Sequence, residues 1–117
     1  MLSAGVPLVF SADYPTSPLD PLTQIADAMF RTSPFGFAEG KPWFPEQALS
    51  FEEALLAYTR APAEATEWAT EIGSISPGRW ADFVILSGRV PQPVDPSFKA
   101  LKVDATYLAG REVFSRR

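Results

Sequence analysis

Asp13 closes the segment Val6-Pro7-Leu8-Val9-Phe10-Ser11-Ala12-Asp13-Tyr14-Pro15, which begins with an unbroken apolar run. A carboxylate at the end of a buried strand can hold a divalent cation or move a proton. The same residue can also be a turn aspartate that bonds its own backbone ahead of Pro15. The 117 residues contain no histidine and no cysteine, so imidazole and thiolate ligands are absent. One carboxylate does not hold a catalytic zinc, which takes three protein ligands and a water.

The other candidates have plainer readings. Glu52-Glu53 is a carboxylate pair, but Ser50-Phe51-Glu52-Glu53 is a capping box that uses Glu53, and solvent accounts for Glu52. Asp82, beside Trp80 and Ala81, reads as support for a turn or strand edge. Phe35, Trp43 and Phe44 could line a pocket or simply pack. Gly73 to Gly78 lacks the spacing and the lysine of a phosphate loop and reads as turns.

The totals narrow the class. A chain of this length makes one ordinary domain, and 46% hydrophobic residues can fill a core. No apolar run approaches the ~20 residues of a membrane span, and no Lys or Arg precedes the first apolar run, so a secretory signal is not expected. The formal net charge of −4 is uneven: residues 1–70 hold 9 acids and 3 bases, residues 71–117 hold 5 acids and 7 bases. The bases are scattered except for Arg116-Arg117, so the concentrated positive footprint of a nucleic-acid binder is missing.

Twelve prolines cut the chain into short elements. Met1 to Gly5 reads as a last helical turn with a glycine stop. Val6 to Phe10 reads as a strand buried on both faces, the usual condition in parallel sheets. Asp20 and Pro21 should cap and start a helix whose inner face is Leu22, Ile25, Ala26 and Met29. Residues 33–48 mix aromatics with helix breakers and need cover from the core or a partner surface. After the capping box, Phe51, Ala54, Leu55 and Tyr58 form a second inner face, with Leu49 and Ala54 as a staple. Pro62 should begin a third helix through Ala63, Ala65 and Trp68. Pro77-Gly78 carries a type II turn signature. Ala81 to Leu86 is a β run, Pro91, Pro93 and Pro96 make a loop, and Val103–Leu108 with Glu112–Phe114 should form a hairpin across Ala109-Gly110-Arg111.

Taken together, these segments resemble the amidohydrolase superfamily, closest to the branch that contains the N-substituted formamide deformylases. Gly5 to Pro15 is similar to the last barrel strand and its acid signature. Ser50 to Leu55 with Tyr58-Thr59 resembles the following helix. Gly73-Ser74-Ile75-Ser76-Pro77-Gly78-Arg79-Trp80-Ala81-Asp82-Phe83-Val84-Ile85-Leu86, the most specific part, resembles the return into a β-sandwich, and Val103 to Phe114 its closing hairpin.

The resemblance implies an α+β chain: the last strand and helices of a (β/α)8 barrel in residues 1–70, then strands of the small β-sandwich in residues 71–117. That makes it a fragment rather than a complete barrel. It implies that Asp13 is both catalytic residue and metal ligand, taking a proton from metal-bound water and passing it to the leaving nitrogen. The implied cofactor is a divalent metal, zinc, in the full-length family, with no tight binding expected of this chain by itself. Three departures stand out. Ser11-Ala12 replaces Gly-Ser, Tyr14 replaces Trp, and the His-x-His, bridging lysine and later histidines have no counterpart. The implied function is a piece of a metal-dependent hydrolase of non-peptide carbon–nitrogen bonds, inactive in isolation. The alternative is a non-catalytic truncated module that self-associates to cover apolar surface. Expected partners are a missing N-terminal part or further copies in a homo-oligomer, with a small-molecule substrate only in the intact enzyme. Nucleic acid and membrane are not expected partners. The expected location is cytoplasmic.

Overall fold

The computed structural model describes residues 1–32 and 41–116. A short 3-10 turn, Leu2–Ala4, stops at Gly5, whose φ of 72° and N–H bond to the Leu2 carbonyl close it as expected. Helix α1 spans Pro21–Phe30. The Asp20 carboxylate accepts from the Leu22 N–H at 3.0 Å and from the Thr23 hydroxyl at 2.9 Å, so the cap read from the sequence is formed. Helix α2 spans Phe51–Tyr58 behind a complete capping box: Glu53 N–H donates to Ser50 Oγ at 3.2 Å and Ser50 N–H to Glu53 Oε2 at 2.8 Å. Such a cap contributes about 1 kcal/mol.

Helix α3 is Arg60–Glu64, earlier and shorter than the predicted helix from Pro62 to Trp68. An ion pair from Arg60 to Glu64 at 2.6 Å braces the single turn. The Thr66 N–H and hydroxyl then both donate to the Ala63 carbonyl, at 3.1 and 2.9 Å, an i to i+3 closure that ends the helix. Trp68 leaves the helix and meets Trp80 edge to face, 5.4 Å between centroids.

The β elements form one antiparallel sheet in the order β1 (Phe83–Leu86), β2 (Val103–Leu108), β3 (Arg111–Ser115). β2 and β3 join through Ala109-Gly110, both at positive φ (49° and 77°), the two-residue hairpin geometry that favours glycine. β1 begins two residues later than the predicted run from Ala81. Ala81 and Asp82 are occupied with that hairpin turn: the Ala81 carbonyl accepts from Gly110 N–H at 3.0 Å, and Asp82 Oδ1 from Ala109 N–H at 2.7 Å.

Val6 to Phe10 is not the buried strand expected. Among the described residues it pairs with no strand, and Val6 and Val9 are 42% and 51% exposed. A strand needs a neighbour to satisfy its ladder. Here the Val6 and Phe10 N–H groups go to the Met1 and Ala57 carbonyls at 3.2 and 2.9 Å instead.

The core gathers Ile25 and Ala26 of α1, Ala54 of α2 and Phe98, with Leu22, Met29, Leu49, Phe51 and Tyr58 packed against them. Phe98 comes from a 3-10 turn, Pro96–Ala100, inside what the sequence marks as a proline loop. Asp95 caps that turn by accepting from Ser97 N–H at 2.8 Å. Leu55, placed on the inner face by spacing, is exposed, and Ala57 is buried in its stead.

Two glycines in left-handed backbone separate conformational strain from crowding. Gly73 has φ 86°, and a Cβ there would lie 2.7 Å from the Ala63 Cβ. Gly78 has φ 85° and open space around it. Gly78→Ala is expected to cost about 1–2 kcal/mol from backbone strain alone. Gly73→Ala should cost roughly 2–4 kcal/mol, because crowding adds to it. Urea unfolding of the two variants checks this; equal losses would mean that the Ala63 contact yields freely.

Candidate functional site

Asp13 lies on an exposed turn between the Val6–Phe10 segment and α1. Its φ is 48°, in the left-handed region that costs a non-glycine residue about 1–2 kcal/mol, though aspartate tolerates it better than most. Arg31, Phe44 and Ala109 share that conformation. Arg31 caps the end of α1, Phe44 precedes a 3-10 turn at Pro45–Gln47, and Ala109 makes the hairpin. Asp13 makes a turn with its main chain: its N–H donates to Ser11 Oγ at 3.2 Å, and its carbonyl accepts from Thr16 N–H at 2.8 Å. Among the described residues no hydrogen bond or ion pair engages the Asp13 carboxylate. The turn-aspartate reading needed that carboxylate to bond its own backbone; here the main chain does that work, and no described residue bonds the side chain.

Tyr14, next in the chain, is 66% exposed on the same turn. Trp43 and Phe44 are 63% and 53% exposed and pack on each other edge to face at 5.1 Å rather than in the core. Arg31, which the sequence reading did not single out, holds this pair. Its guanidinium lies 5.9 Å from the Trp43 ring centre, its Nε donates to the Trp43 carbonyl at 3.0 Å, and its own carbonyl accepts from Trp43 N–H at 2.8 Å. An i, i+12 relation between a helix cap and a loop leaves no periodic trace by which sequence could have found it. Phe35 lies outside the described residues.

Several other acids have structural employment. Glu53 is held below the usual carboxylate range by its bonds from the Ser50 backbone and hydroxyl. Asp95 is held down by its bonds from Ser97. Asp82 ties β1 to the hairpin turn, the supporting role its sequence context suggested. Asp27 is pushed up by burial, which the nearby Lys99 partly offsets. Arg79, also missed, closes the turns after α3 by donating to the Ala69 carbonyl at 2.7 Å.

Among the described residues no three His, Cys, Asp or Glu side chains gather into a group that could hold a metal ion. These residues do not by themselves fit a zinc ion, which needs three protein ligands. What the site offers, among the described residues, is one carboxylate without a hydrogen-bond partner on a left-handed turn. No helix among the described residues is long and apolar enough to cross a membrane.

Comparison with known proteins extends over the same stretch. The description of the amidohydrolase family matches residues 1–114. Protein LONG AFTER FAR-RED 3 of Arabidopsis thaliana is 33% identical over 114 residues, which are 97% of this chain and 19% of that protein. N-substituted formamide deformylase of Arthrobacter pascens is 31% identical over 110 residues, 94% of this chain and 20% of the enzyme. The crystal structure of an amidohydrolase from Thermotoga maritima superposes with a TM-score of 0.72 at 29% identity, covering 98% of this chain and 24% of the other. The chain therefore spans about a fifth of the curated relatives it matches. With a family match that runs through the Asp13 turn, both helical faces and the closing hairpin, this chain belongs to the amidohydrolase family.

Proposed function

We propose that these residues are the C-terminal portion of a metal-dependent hydrolase that cleaves non-peptide carbon–nitrogen bonds, of the amide or cyclic-amide type. Asp13 is its proton-transferring carboxylate. The observation that carries this reading is the Asp13 side chain on a left-handed turn, unbonded among the described residues, within a family match over residues 1–114. A relative named N-substituted formamide deformylase points to the same bond class. The metal, zinc in this reading, and its remaining ligands would come from polypeptide outside these residues, since the described ones do not assemble a ligand set.

Asp13's part needs only its own chemistry. A carboxylate takes a proton from the attacking water and returns it to the departing nitrogen, so that an amine leaves rather than an amide anion. The exposed position of the turn lets a reacting group approach it.

The test begins with the native reading frame upstream of Met1. An open frame of ~300 or more residues that carries His-x-His after a predicted strand is expected, barrels of this kind running from ~200 to over 400 residues. The longer product should release amine from N-substituted formamides or cyclic amides and lose that activity to a chelator. A stop codon close before Met1 overturns the reading. For the 117 residues alone, calorimetry with zinc should show weak binding or none; tight one-to-one binding would contradict the ligand count.

A further inference from the structure

Segment 11–17, which carries Asp13, makes its hydrogen bonds with itself. Among the described residues they run from the Asp13 N–H to Ser11 Oγ at 3.2 Å and from the Thr16 N–H to the Asp13 carbonyl at 2.8 Å. Such bonds fix the shape of a turn but not its place on the protein. The bonds that fix its place are made by the two flanking residues, Phe10 and Pro18. At the first, the Phe10 N–H donates to the Ala57 carbonyl at 2.9 Å, and the Phe10 ring meets the Tyr58 ring edge to face, 5.6 Å between centroids. At the second, the Pro18 carbonyl accepts from Gln24 Nε2 at 2.6 Å. Gln24 Oε1 in turn accepts from the Tyr58 hydroxyl. Both ends of the Asp13 segment therefore converge on Tyr58, the last residue of α2. One arrives through its ring, the other through its hydroxyl and one side-chain amide of α1.

The direction of these bonds follows from the groups involved. The Pro18 carbonyl has no proton to give, so it must face the amide nitrogen of Gln24. That leaves the amide oxygen for the Tyr58 hydroxyl, which must donate. Burial pushes the Tyr58 hydroxyl up from its ordinary range, so it keeps its proton at neutral pH. Gln24 and Tyr58 are both half-buried, where a polar group left without its partner is costly. A left-handed residue such as Asp13, at φ 48°, persists where its surroundings over-determine it. Two tethers that meet on one side chain supply such a constraint.

We propose that Gln24 and Tyr58 are positioning residues that hold the Asp13 turn at the reacting bond, with Tyr58 clamping both ends of the segment. The proposal deepens the reading of Asp13 as the proton-transferring carboxylate and rests on it. Both side chains act through the place of that carboxylate. A reacting group displaced by about 1 Å can lose on the order of 10²-fold in rate.

Tyr58→Phe and Gln24→Met in the longer polypeptide provide the test, with formanilide and para-nitroformanilide as substrates. Phenylalanine keeps the ring against Phe10 and removes only the hydroxyl. Methionine keeps the reach of glutamine and removes both of its bonds. Each variant is expected to lower kcat on formanilide by about 10–100-fold and leave KM within about threefold. The loss should shrink on para-nitroformanilide, whose better leaving amine depends less on the proton that Asp13 returns. The double variant should be no worse than Gln24→Met by itself, because both cut one tether. In an Asp13→Asn background either change should lower the residual activity by less than about threefold. Tyr107→Phe removes a different tyrosine hydroxyl bond, to Glu112 at 2.9 Å on the sheet, and should leave kcat within about twofold. Circular dichroism verifies the fold, and if one tether variant does not fold the other decides. Tyr58→Phe and Gln24→Met that keep kcat within about twofold, while Asp13→Asn abolishes activity, would overturn the tether and leave the Asp13 reading standing. Equal losses on the two substrates, or undiminished losses beside Asp13→Asn, would make the pair structural only and overturn it too. If Asp13→Asn is harmless, or neither anilide is turned over, the Asp13 reading falls first and this inference falls with it.

Discussion

Asp13→Asn in the longer polypeptide is expected to lower kcat/KM by about 10²–10⁴-fold, the usual worth of a positioned proton-transfer group. That corresponds to roughly 3–5 kcal/mol of transition-state stabilisation. Asparagine keeps the shape and can occupy the left-handed backbone at φ 48°, so the turn should persist. It cannot hold a proton between the attacking water and the leaving nitrogen. The loss should fall on kcat more than on KM, because the carboxylate acts on charge that develops during the reaction. A substrate with a better leaving amine should suffer less, since it depends less on protonation as it departs. Glu52→Gln is the control: Glu52 is exposed on α2, outside the capping pair, and its replacement should leave activity within about twofold. If Asp13→Asn keeps activity within about threefold of the parent, Asp13 has no part in proton transfer. The free carboxylate would then be only an exposed charge on a turn.

Phe98→Ala is expected to destabilise the 117-residue chain by about 3–5 kcal/mol. Phe98 is fully buried and, among the described residues, the largest side chain so enclosed, with its ring edge to face with Phe51 at 5.7 Å. It is also the plug that ties the Pro96–Ala100 turn to α1 and α2. The other buried members of that cluster are Ile25 and two alanines, and the larger side chains packed against it are only partly buried. A chain of this size has only about 6–18 kcal/mol of folding stability in all, and this one buries few large side chains. Urea unfolding should show a lowered midpoint, with Phe98→Leu retaining more stability than Phe98→Ala. Phe114, also aromatic but 48% exposed on β3, supplies the contrast: Phe114→Ala should cost about 1 kcal/mol or less. A loss below about 1 kcal/mol at Phe98 would show that the turn carrying it is not joined to the helical core.

The structural likeness to the Thermotoga maritima amidohydrolase extends over 98% of this chain at a TM-score of 0.72. Yet few side chains are buried among the described residues. The two findings have one physical sense. Local geometry is encoded within these residues, while much of the cover for their apolar faces is not. The exposed Val6, Val9 and Leu56 and the bare face of β1 show where that cover is wanting.

Residue types and spacing alone determined the caps and turns. Asp20 before Pro21, Ser50 with Glu53, Gly78 after Pro77 and Gly110 in the hairpin all formed where the sequence places them. In each, the bonding partners lie within two to four residues, or the backbone angle belongs to one residue, so nothing distant has to arrive. Tertiary structure decided the rest. Val6 to Phe10 has the composition of a buried strand and forms none, because a strand is completed only by a neighbour. A proline loop delivered Phe98 to the centre of the core, and Leu55 yielded its inner position to Ala57. Asp82 was turned from the strand to a hairpin 27 residues away. Asp13 was legible as the one candidate acid, but not the reason its carboxylate is free. That followed from a backbone turn in which the Asp13 N–H and carbonyl satisfy Ser11 and Thr16, and left the side chain without a bond to any described residue.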